Sequence, residues 1–469
     1  MSTDVEYLED ILGEGAVSTA SDALESHATD WGSNNASPPD VVVYPTTGEE
    51  VAAVLEAANE RGVPVTPYAA GTSLEGNPIP LEGGISMDLT RMDAILAVRP
   101  DDLQMDVEPG VMGGALDPEA GKHGLFFPPL PSSGDISTIG GMIANAASGM
   151  QTVKYGEIED WVLELEVALA DGSLITVGSK AIKTSSGYNL RDLIIGSEGT
   201  LGVITRATIG LAGRPAEIRG GRVLFSSLSD AAAAVTDAVQ SGVDVAKIEL
   251  IDAQSAAMAN AYTGAQLPDV PMVFLEFHAD HGIEAEIEFC KAVMQSHNPE
   301  RFELADEEEM AELWQLRRDL AFAVRSWDPT LEPMHPGDVT VPISQYGPLI
   351  QYAKELGAEH DLIVPCFGHA GDGNIHYTVM VDPSDPDQVE RGQTVYSSVV
   401  RRAIEVGGTA TGEHGIGLGK REYLIEEHGE ATVLAMQSIK NALDPNGILN
   451  PGKIFPTDGE RWLRSDPPQ

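Results

Sequence analysis

The chain has 469 residues, with 73 acidic against 28 basic side chains and a formal net charge of −45. This carboxylate excess excludes nucleic acid as a partner, whereas 42% apolar residues are enough to bury cores in about two to four lobes. Because the acidic residues are spread along the whole chain, we interpret them as salt adaptation, typical of a halophilic protein, and not as a sign of function.

The two cysteines, Cys290 and Cys366, are too few for a disulfide framework or for the ligands of an iron–sulfur cluster. Any redox chemistry must therefore use another cofactor. The segment MSTDVEYLED lacks the basic and apolar regions of a signal peptide, and no run of about 18 apolar residues occurs. We expect a cytoplasmic protein without a transmembrane segment.

The first predicted elements form a β-α-β unit between residues 40 and 77. DVVVY predicts a strand, and Thr47 with Glu50 predicts the capping box of a helix that ends at Gly62. VPVTPY predicts the second strand and leads into the loop AAGTSLEGN. A ligand is expected at this loop.

Two further glycine-rich regions follow, PLPSSGDISTIGGMIANAASG at residues 129–149 and GSEGTLGVIT at residues 196–205. Between them, two strands are predicted around a hairpin turn at Asp171 and Gly172. Such loops let the backbone approach phosphate groups closely. One loop alone is as readily an ordinary turn, but three favour a ligand site, and neither the GxGxxG nor the Walker pattern fits.

The second half of the chain changes character after Pro215. Two successive strand-helix-strand patterns predict a split, ferredoxin-like α+β sheet. A long helix is predicted over residues 307–327, followed by a strand at DVTVPIS, a helix through YGPLIQYAKELGAEH and a strand at HYTVMV.

The three glycine loops resemble the FAD-binding domain of the vanillyl-alcohol oxidase family over about residues 40–211. The resemblance assigns the first loop to the pyrophosphate, the second to the isoalloxazine and ribityl chain, and the third to the adenosine end. The FAD ligands it implies are Pro67, Ala69, Ala70, Gly71, Thr72 and Ser73, then Ser132, Ser133, Thr138, Gly141, Ala144, Asn145 and Gly149, then Glu198, Gly202, Val203 and Ile204.

Some members of that family attach FAD covalently through a histidine or cysteine. Residues 67–77 contain neither, so we expect a non-covalent FAD. The nearby His123 is interpreted as an exposed loop histidine.

His369 and His376 flank the turn AGDGN, and a glycine-flanked Glu413-His414 pair follows in TGEHGIG. A loop can bring both imidazoles to one point, which with a carboxylate gives a set suited to Zn²⁺, Mn²⁺ or Fe²⁺. From spacing alone, buried polar pairing without a metal is the more frequent explanation.

The motifs GHAGDGNIH, TGEHGIG and LNPGK resemble the C-terminal domain of FAD-linked 2-hydroxy-acid dehydrogenases, the group of D-lactate dehydrogenase and the FAD subunit of glycolate oxidase. This second resemblance covers about residues 215–455. It implies that His369, His376 and Glu413 bind a divalent metal, Zn or Mn, and that His414 accepts the proton of the substrate hydroxyl. It also assigns Arg317 of WQLR to the substrate carboxylate and Asn450 of LNPGK to the cofactor.

The alternative for Arg317 is a salt bridge with residues 307–309 on the same helix, a role better suited to Arg318. Members that oxidise dicarboxylates carry a threonine and a lysine where this chain has Ala321 and, approximately, Pro336. D-2-hydroxyglutarate is therefore expected less than D-lactate or glycolate, although His335 offers a partial substitute.

We predict an α+β protein: a two-lobed vanillyl-alcohol oxidase-type FAD-binding domain with a ferredoxin-like substrate (cap) domain. The expected boundaries are 1–35 for an N-terminal helical segment, 36–213 for the FAD domain, 214–456 for the cap domain, with its last residues returning to the flavin, and 457–469 for a tail. The predicted activity is oxidation of a small D-2-hydroxy acid.

Electrons are expected to pass to a separate acceptor, which is an iron–sulfur subunit, an electron-transfer flavoprotein or a quinone, and a homodimer is the expected assembly. Two alternatives stay open at this point. One is a flavin oxidase of an alcohol or sugar lactone that uses oxygen, and the other is a metal-dependent hydrolase with purely structural glycine loops.

Overall fold

The computed structural model describes residues 5–32 and 34–456, so the predicted tail at 457–469 lies outside the described residues. The described chain divides into two units. The first unit comprises residues 5–147, 157–214 and 413–456, and the second comprises residues 148–156 and 215–412. Among the described residues, no helix combines the length and the apolar character needed to cross a bilayer.

The α-helices are α1 Glu6–Leu12, α2 Ser21–Ser26, α3 Gly48–Arg61, α4 Gly113–Ala120, α5 Ile139–Ala144, α6 Thr152–Tyr155, α7 Ile158–Trp161, α8 Leu190–Ile194, α9 Leu228–Gln240, α10 Ala253–Thr263, α11 Ile283–Gln295, α12 Glu307–Arg325, α13 Ile343–Glu359, α14 Pro386–Glu405, α15 Leu424–His428 and α16 Glu430–Leu443. The strands are β1 Val17–Ser18, β2 Val41–Val43, β3 Val65–Tyr68, β4 Ile85–Asp88, β5 Ile95–Arg99, β6 Gln104–Val107, β7 Leu125–Phe126, β8 Val162–Ala168, β9 Leu174–Gly178, β10 Val203–Gly210, β11 Ala212–Gly213, β12 Glu217–Leu224, β13 Lys247–Ile251, β14 Met272–Ala279, β15 Arg301–Ala305, β16 Glu332–Thr340, β17 Cys366–His369 and β18 Asn374–Val381.

The first unit begins with the predicted β-α-β unit. The hydroxyl of Thr47 accepts the N–H of Glu50 at 3.1 Å and caps α3, and Gly62 ends the helix at a φ of 63°. The Glu50 carboxylate returns to the N–H of Thr46 at 2.7 Å, one residue before the position expected for a capping box. The sheet order β1-β2-β4-β3 places β4 between the two predicted strands, parallel to both.

A second sheet of the first unit is antiparallel, with the order β5-β6-β10-β8-β9. Its strands β8 and β9 form the hairpin predicted around Asp171 and Gly172. The apolar faces of this sheet pack against short helices, including α5 and α7, in a core that contains Phe127, Ile143 and Leu165. The helix α5 thereby joins the second glycine-rich region to a buried scaffold.

The second unit is built on a seven-stranded antiparallel sheet with the order β15-β12-β14-β13-β17-β18-β16. Its first four strands follow the order 4-1-3-2 of a ferredoxin-like sheet, as predicted, with α10 as an extra helix between the second and third strands. The strands β17, β18 and β16 extend this sheet and carry the predicted histidines. The long helix α12 forms where the sequence predicts it and ends two residues earlier, at Arg325.

Candidate active site

The first glycine loop follows β3 and offers free backbone donors. In the part of the chain that the structure describes, the N–H groups of residues 70–74 donate to no acceptor. Gly71 adopts a φ of 66°, and a Cβ there would lie 2.4 Å from the Tyr68 hydroxyl, so only glycine fits this turn. A loop of unpaired N–H groups is suited to phosphate oxygens.

The three glycine loops meet within the first unit. The hydroxyl of Thr72 in the first loop lies 2.9 Å from that of Ser137 in the second, and Ser137 donates to Ser133 at 3.1 Å. The N–H of Glu198 in the third loop donates to the carbonyl of Ala144 in the second at 2.8 Å. Three loops that are well separated in the sequence therefore lie against one another.

Glu198 is buried at the junction of these loops, in a left-handed conformation with a φ of 53°. Its carboxylate accepts the Asn77 amide at 2.5 Å, the Ile416 N–H at 2.7 Å and the Gly417 N–H at 2.9 Å. Burial raises the pKa of this carboxyl, and the hydrogen bonds oppose the shift. Glu198 thus connects two flavin-type loops to the segment that follows His414.

His414 is held by the same loops. Its carbonyl accepts the Asn145 amide at 3.0 Å, and its Nδ1 lies 3.9 Å from the Glu75 carboxylate. The buried Lys420 places its Nζ 3.4 Å from the same oxygen of Glu75. The predicted proton acceptor is therefore anchored in the first unit, against residues of the first two glycine loops.

The segment LNPGK also joins this region. The amide of Asn450 donates to the carbonyls of Asn77 at 3.0 Å and Glu198 at 2.7 Å. Lys453 donates to the carbonyl of Ile79 at 2.5 Å, and burial lowers the pKa of its ammonium to about 7, partly opposed by the charge of Glu198. Asn450 therefore joins the first and third glycine loops.

Some of the remaining residues predicted to bind FAD lie on the loop surfaces, and others are buried in a strand or a core. Thr138 caps α5 by accepting the Gly141 N–H at 3.2 Å, and a Cβ on Gly141 would lie 3.4 Å from that of Ala69. Val203 and Ile204 are buried in β10, where they pair with β8 and pack in the cores. Half-buried residues on the loop surfaces are Pro67, Ala69, Ala70, Ser73, Ser132 and Asn145. Gly202 is buried against Val167, and Gly149 lies in the second unit, where its N–H donates to Thr152.

The second unit brings His369 and His376 together. Their ring centroids are 5.2 Å apart in an edge-on arrangement, and each offers a ring nitrogen within 4.8 Å of the other. His376 faces Asp338 of β16 in the sheet register, with Nδ1 3.7 Å from the carboxylate. The Asp338 carboxylate accepts the N–H of Gly412 at 2.8 Å, and Glu413 follows Gly412 directly in the chain.

Arg317 projects from α12 and is buried. Its Nε donates to the Glu249 carboxylate at 2.7 Å, and Nη2 lies 2.6 Å from the same oxygen. The other Glu249 oxygen lies 2.6 Å from Nδ1 of His369. The alternative partners on the same helix, residues 307–309, are not the ones that Arg317 contacts, and Arg318 bonds Gln315 instead.

Several of these residues were not predicted from the sequence: Glu75, Asn77, Glu249 and Asp338. A weak signal existed for Glu249, because Lys247 and Glu249 alternate with Ile248 and Leu250 in a buried strand. Charged residues on one face of such a strand need buried partners. Nothing in the sequence names those partners, since they lie on other elements.

Comparisons with known proteins identify the family of this chain. Residues 39–178 match the FAD binding domain family, and residues 214–454 match the family of FAD linked oxidases, C-terminal domain. The chain is 36% identical over 456 residues to the probable mitochondrial D-lactate dehydrogenase of Danio rerio, covering 96% of this chain and 91% of that protein. It is 35% identical to the glycolate oxidase subunit GlcD of Bacillus subtilis, covering 90% of each chain.

Among solved structures, the 4-ethylphenol oxidase from Gulosibacter chungangensis superimposes with a TM-score of 0.77 at 18% identity, covering 96% of this chain and 97% of that one. This likeness confirms the predicted vanillyl-alcohol oxidase-type fold. The chain therefore belongs to the FAD-linked oxidase family of flavin-dependent oxidoreductases.

Proposed function

We propose that this protein is an FAD- and divalent-metal-dependent dehydrogenase that oxidises a small D-2-hydroxy acid, D-lactate or glycolate, to the 2-oxo acid. The observation that carries the proposal is the pair His369 and His376, whose rings meet on one face of the second unit's sheet. A flavin oxidase of a simple alcohol has no need of such a pair. The names of the relatives, a D-lactate dehydrogenase and a glycolate oxidase subunit, support the same substrate class.

The loops of the first unit fit FAD, because the N–H groups of residues 70–74 remain available for pyrophosphate oxygens. When bound, FAD supplies the acceptor for the hydride of the α-carbon, and the divalent ion supplies a Lewis acid for the substrate oxygens. His414 takes the hydroxyl proton as the carbon loses its hydride, which balances the conversion of hydroxy acid to oxo acid.

The donor set fits a Zn²⁺ or Mn²⁺ ion. The Nδ1 of His369 faces the Glu249 carboxylate at 2.6 Å, so this nitrogen donates its hydrogen and Nε2 keeps a lone pair for a metal. We propose Glu413 as the third ligand, since its neighbour Gly412 is fixed to Asp338 at 2.8 Å. Two histidines and one carboxylate leave open positions for a substrate.

Arg317 is proposed to bind the substrate carboxylate. A guanidinium carries five N–H donors, more than its contacts with one oxygen of Glu249 use.

Ala321, one turn further along α12, and Pro336 in β16 offer no group for a second carboxylate. Monocarboxylates are therefore preferred over 2-hydroxyglutarate. His335 lies against the ring of Tyr396, with 5.5 Å between centroids.

The two cysteines are buried and unpaired, at a distance in sequence from the flavin loops. We therefore propose that the reduced flavin passes its electrons to a separate iron–sulfur subunit, an electron-transfer flavoprotein or a quinone. A homodimer is the assembly we propose.

An anaerobic screen of D- and L-2-hydroxy acids for bleaching of the flavin absorbance tests the proposal. We expect D-lactate or glycolate to bleach fastest, and a chelator to abolish bleaching while the flavin stays bound. Precipitation with acid should release FAD, as no covalent link is expected. Unchanged bleaching in the chelated protein, with rapid reoxidation by oxygen, would favour the alcohol or lactone oxidase instead.

A further inference from the structure

Two residues of β13 face two residues of α12 in the second unit. Lys247 lies over the ring of Trp314 at 4.6 Å, and Glu249 binds Arg317 three residues further along the helix. Residues two apart in a strand share one face, as do residues three apart in a helix. The Lys247–Trp314 and Glu249–Arg317 contacts therefore lie side by side between β13 and α12.

Glu249 is fully buried, and its two oxygens serve different partners. One oxygen receives Arg317 at 2.7 Å, and the other faces Nδ1 of His369 at 2.6 Å. The strand pairing supports this contact, because Glu249 and His369 are directly opposite each other on β13 and β17. A buried carboxylate is stable only with such charged and hydrogen-bonding partners.

We propose that Glu249 is a positioning residue that links the metal ligand His369 to the carboxylate-binding Arg317. It orients the imidazole through one oxygen and the guanidinium through the other, so the two binding elements share one rigid anchor. This inference rests on the proposed function for the roles of His369 and Arg317. A substitution at Arg317 should therefore change the metal affinity even though Arg317 is not a metal ligand.

The same unit contains a matched control. Glu276 on β14 is also buried, lies 2.8 Å from the cation Lys247 and accepts from His278 at 2.8 Å. Lys247, Glu276 and His278 thus form a cluster of a cation, a carboxylate and a histidine, as Arg317, Glu249 and His369 do. His278, however, is not one of the proposed metal ligands. Glu276→Gln should disturb packing to a similar degree and leave metal affinity unchanged.

The experiment is a competitive Zn²⁺ titration of the FAD-loaded full chain after its metal has been stripped. Glutamine has one acceptor oxygen, and its NH₂ group would oppose either Arg317 or His369. We expect Glu249→Gln to weaken Zn²⁺ binding by roughly 10- to 100-fold. Affinity within twofold of the unaltered protein, or an equal loss in Glu276→Gln, would overturn the proposal.

A double-mutant cycle tests the link itself. Arg317→Met should weaken Zn²⁺ binding severalfold, because Glu249 loses the partner that fixes its side chain. In a Glu249→Gln background the same substitution should have less than a twofold effect. An undiminished effect in that background would show that Arg317 acts by another route.

Glu249→Gln leaves Arg317 buried without its carboxylate, which can prevent folding. If so, the comparison is between Arg317→Met and Arg317→Met/Glu249→Gln, which differ only in the link to His369. The double variant should then bind Zn²⁺ roughly 10-fold more weakly, and equal affinities would overturn the proposal.

NMR of the metal-free, ¹⁵N-histidine-labelled protein gives a second readout, in which we expect His369 to carry its proton on Nδ1 in the unaltered chain. A proton on Nε2 would contradict the positioning role. Neither the Zn²⁺ titration nor the NMR measurement needs turnover. A negative result in the substrate screen would therefore contradict the proposed function without deciding the role of Glu249.

Discussion

At the scale of single residues, His376 lies opposite Asp338 on neighbouring strands and beside His369. We predict that His376→Ala loses the divalent metal but keeps FAD, because the glycine loops belong to the first unit. Metal analysis and the flavin absorbance of the same gel-filtered sample measure both. The control His278→Ala removes a buried histidine of the same sheet and should keep the metal. Full metal content in His376→Ala would exclude this histidine as a ligand.

His414 differs in its expected effect, since the proposal makes it a proton acceptor and not a metal ligand. His414→Ala should retain both metal and FAD while the rate of flavin reduction falls by roughly 10²- to 10⁴-fold. Stopped-flow bleaching with the best hydroxy acid measures this rate, with His123→Ala, an exposed histidine, as the control. A rate within threefold of the unaltered protein would remove His414 from proton transfer.

Residues of the candidate site could be predicted from the sequence when their residue type occurs at few positions in the chain. Histidine is rare here, so the spacing of His369 and His376 indicated a cluster that the structure forms. Carboxylates are abundant, and a single buried one such as Glu249 or Asp338 cannot be distinguished by type. Their importance comes from partners that the sheet pairing brings opposite them, which no local pattern encodes.

At the scale of elements, the helix α12 carries both Trp314 and Arg317, and its start is fixed by a reciprocal cap. The Asp306 side chain accepts the Glu309 N–H at 3.0 Å, and the Glu309 carboxylate accepts the Asp306 N–H at 3.2 Å. Asp306→Ala should lower the stability of the second unit by about 1 kcal/mol. The shift of the urea unfolding midpoint measures this loss.

The matched control for that cap is Glu308→Ala, an exposed acid in the same first turn that makes no capping bond. It should change stability by only a few tenths of a kcal/mol, roughly the strength of a charge near a helix terminus. Equal shifts for the two variants would assign the effect to charge and not to the cap.

The elements themselves followed from hydrophobic periodicity and caps, which act locally. Sheet order did not, since β4 enters between β2 and β3 only because its residues complete a buried parallel layer. The ferredoxin-like order was predictable from the repeat of strand-helix-strand patterns. The start of β16 at Glu332, six residues before the predicted strand, could not be predicted, because Pro333 and Pro336 disfavour a strand. In the structure these two prolines lie at a register shift between β16 and β18.

At the scale of the whole molecule, the net charge of −45 predicts a response to salt. Repulsion between carboxylates destabilises the folded chain in dilute buffer, and the Debye length falls to about 3 Å at 1 M salt. The thermal midpoint and the activity should therefore rise between 0.1 and roughly 2 M KCl. An optimum in dilute buffer would show that the acidic surplus is not salt adaptation.

The division of the described chain into two units places residues 413–456 with the first unit, after the whole second unit has intervened. The cause is non-local pairing: the N–H of Val65 donates to the carbonyl of Ile448 at 2.8 Å, and the N–H of Asn450 donates to Val65 at 2.8 Å. Such backbone pairing leaves little trace in the sequence, beyond the motif LNPGK that contains Asn450.

This pairing of Val65 with residues 448–450 has a consequence for biosynthesis. On the ribosome the first unit cannot reach its final form when the first 214 residues of the chain have emerged, because one neighbour of β3 is still to be translated. At about 5 to 20 residues per second the delay between the two partners is roughly 20 to 80 s. During that interval β3 presents an unpaired edge, whereas the second unit has all the strands of its sheet once β18 has been translated. The nascent chain should therefore acquire its protease-resistant cap first and bind flavin only once residues 448–450 have emerged.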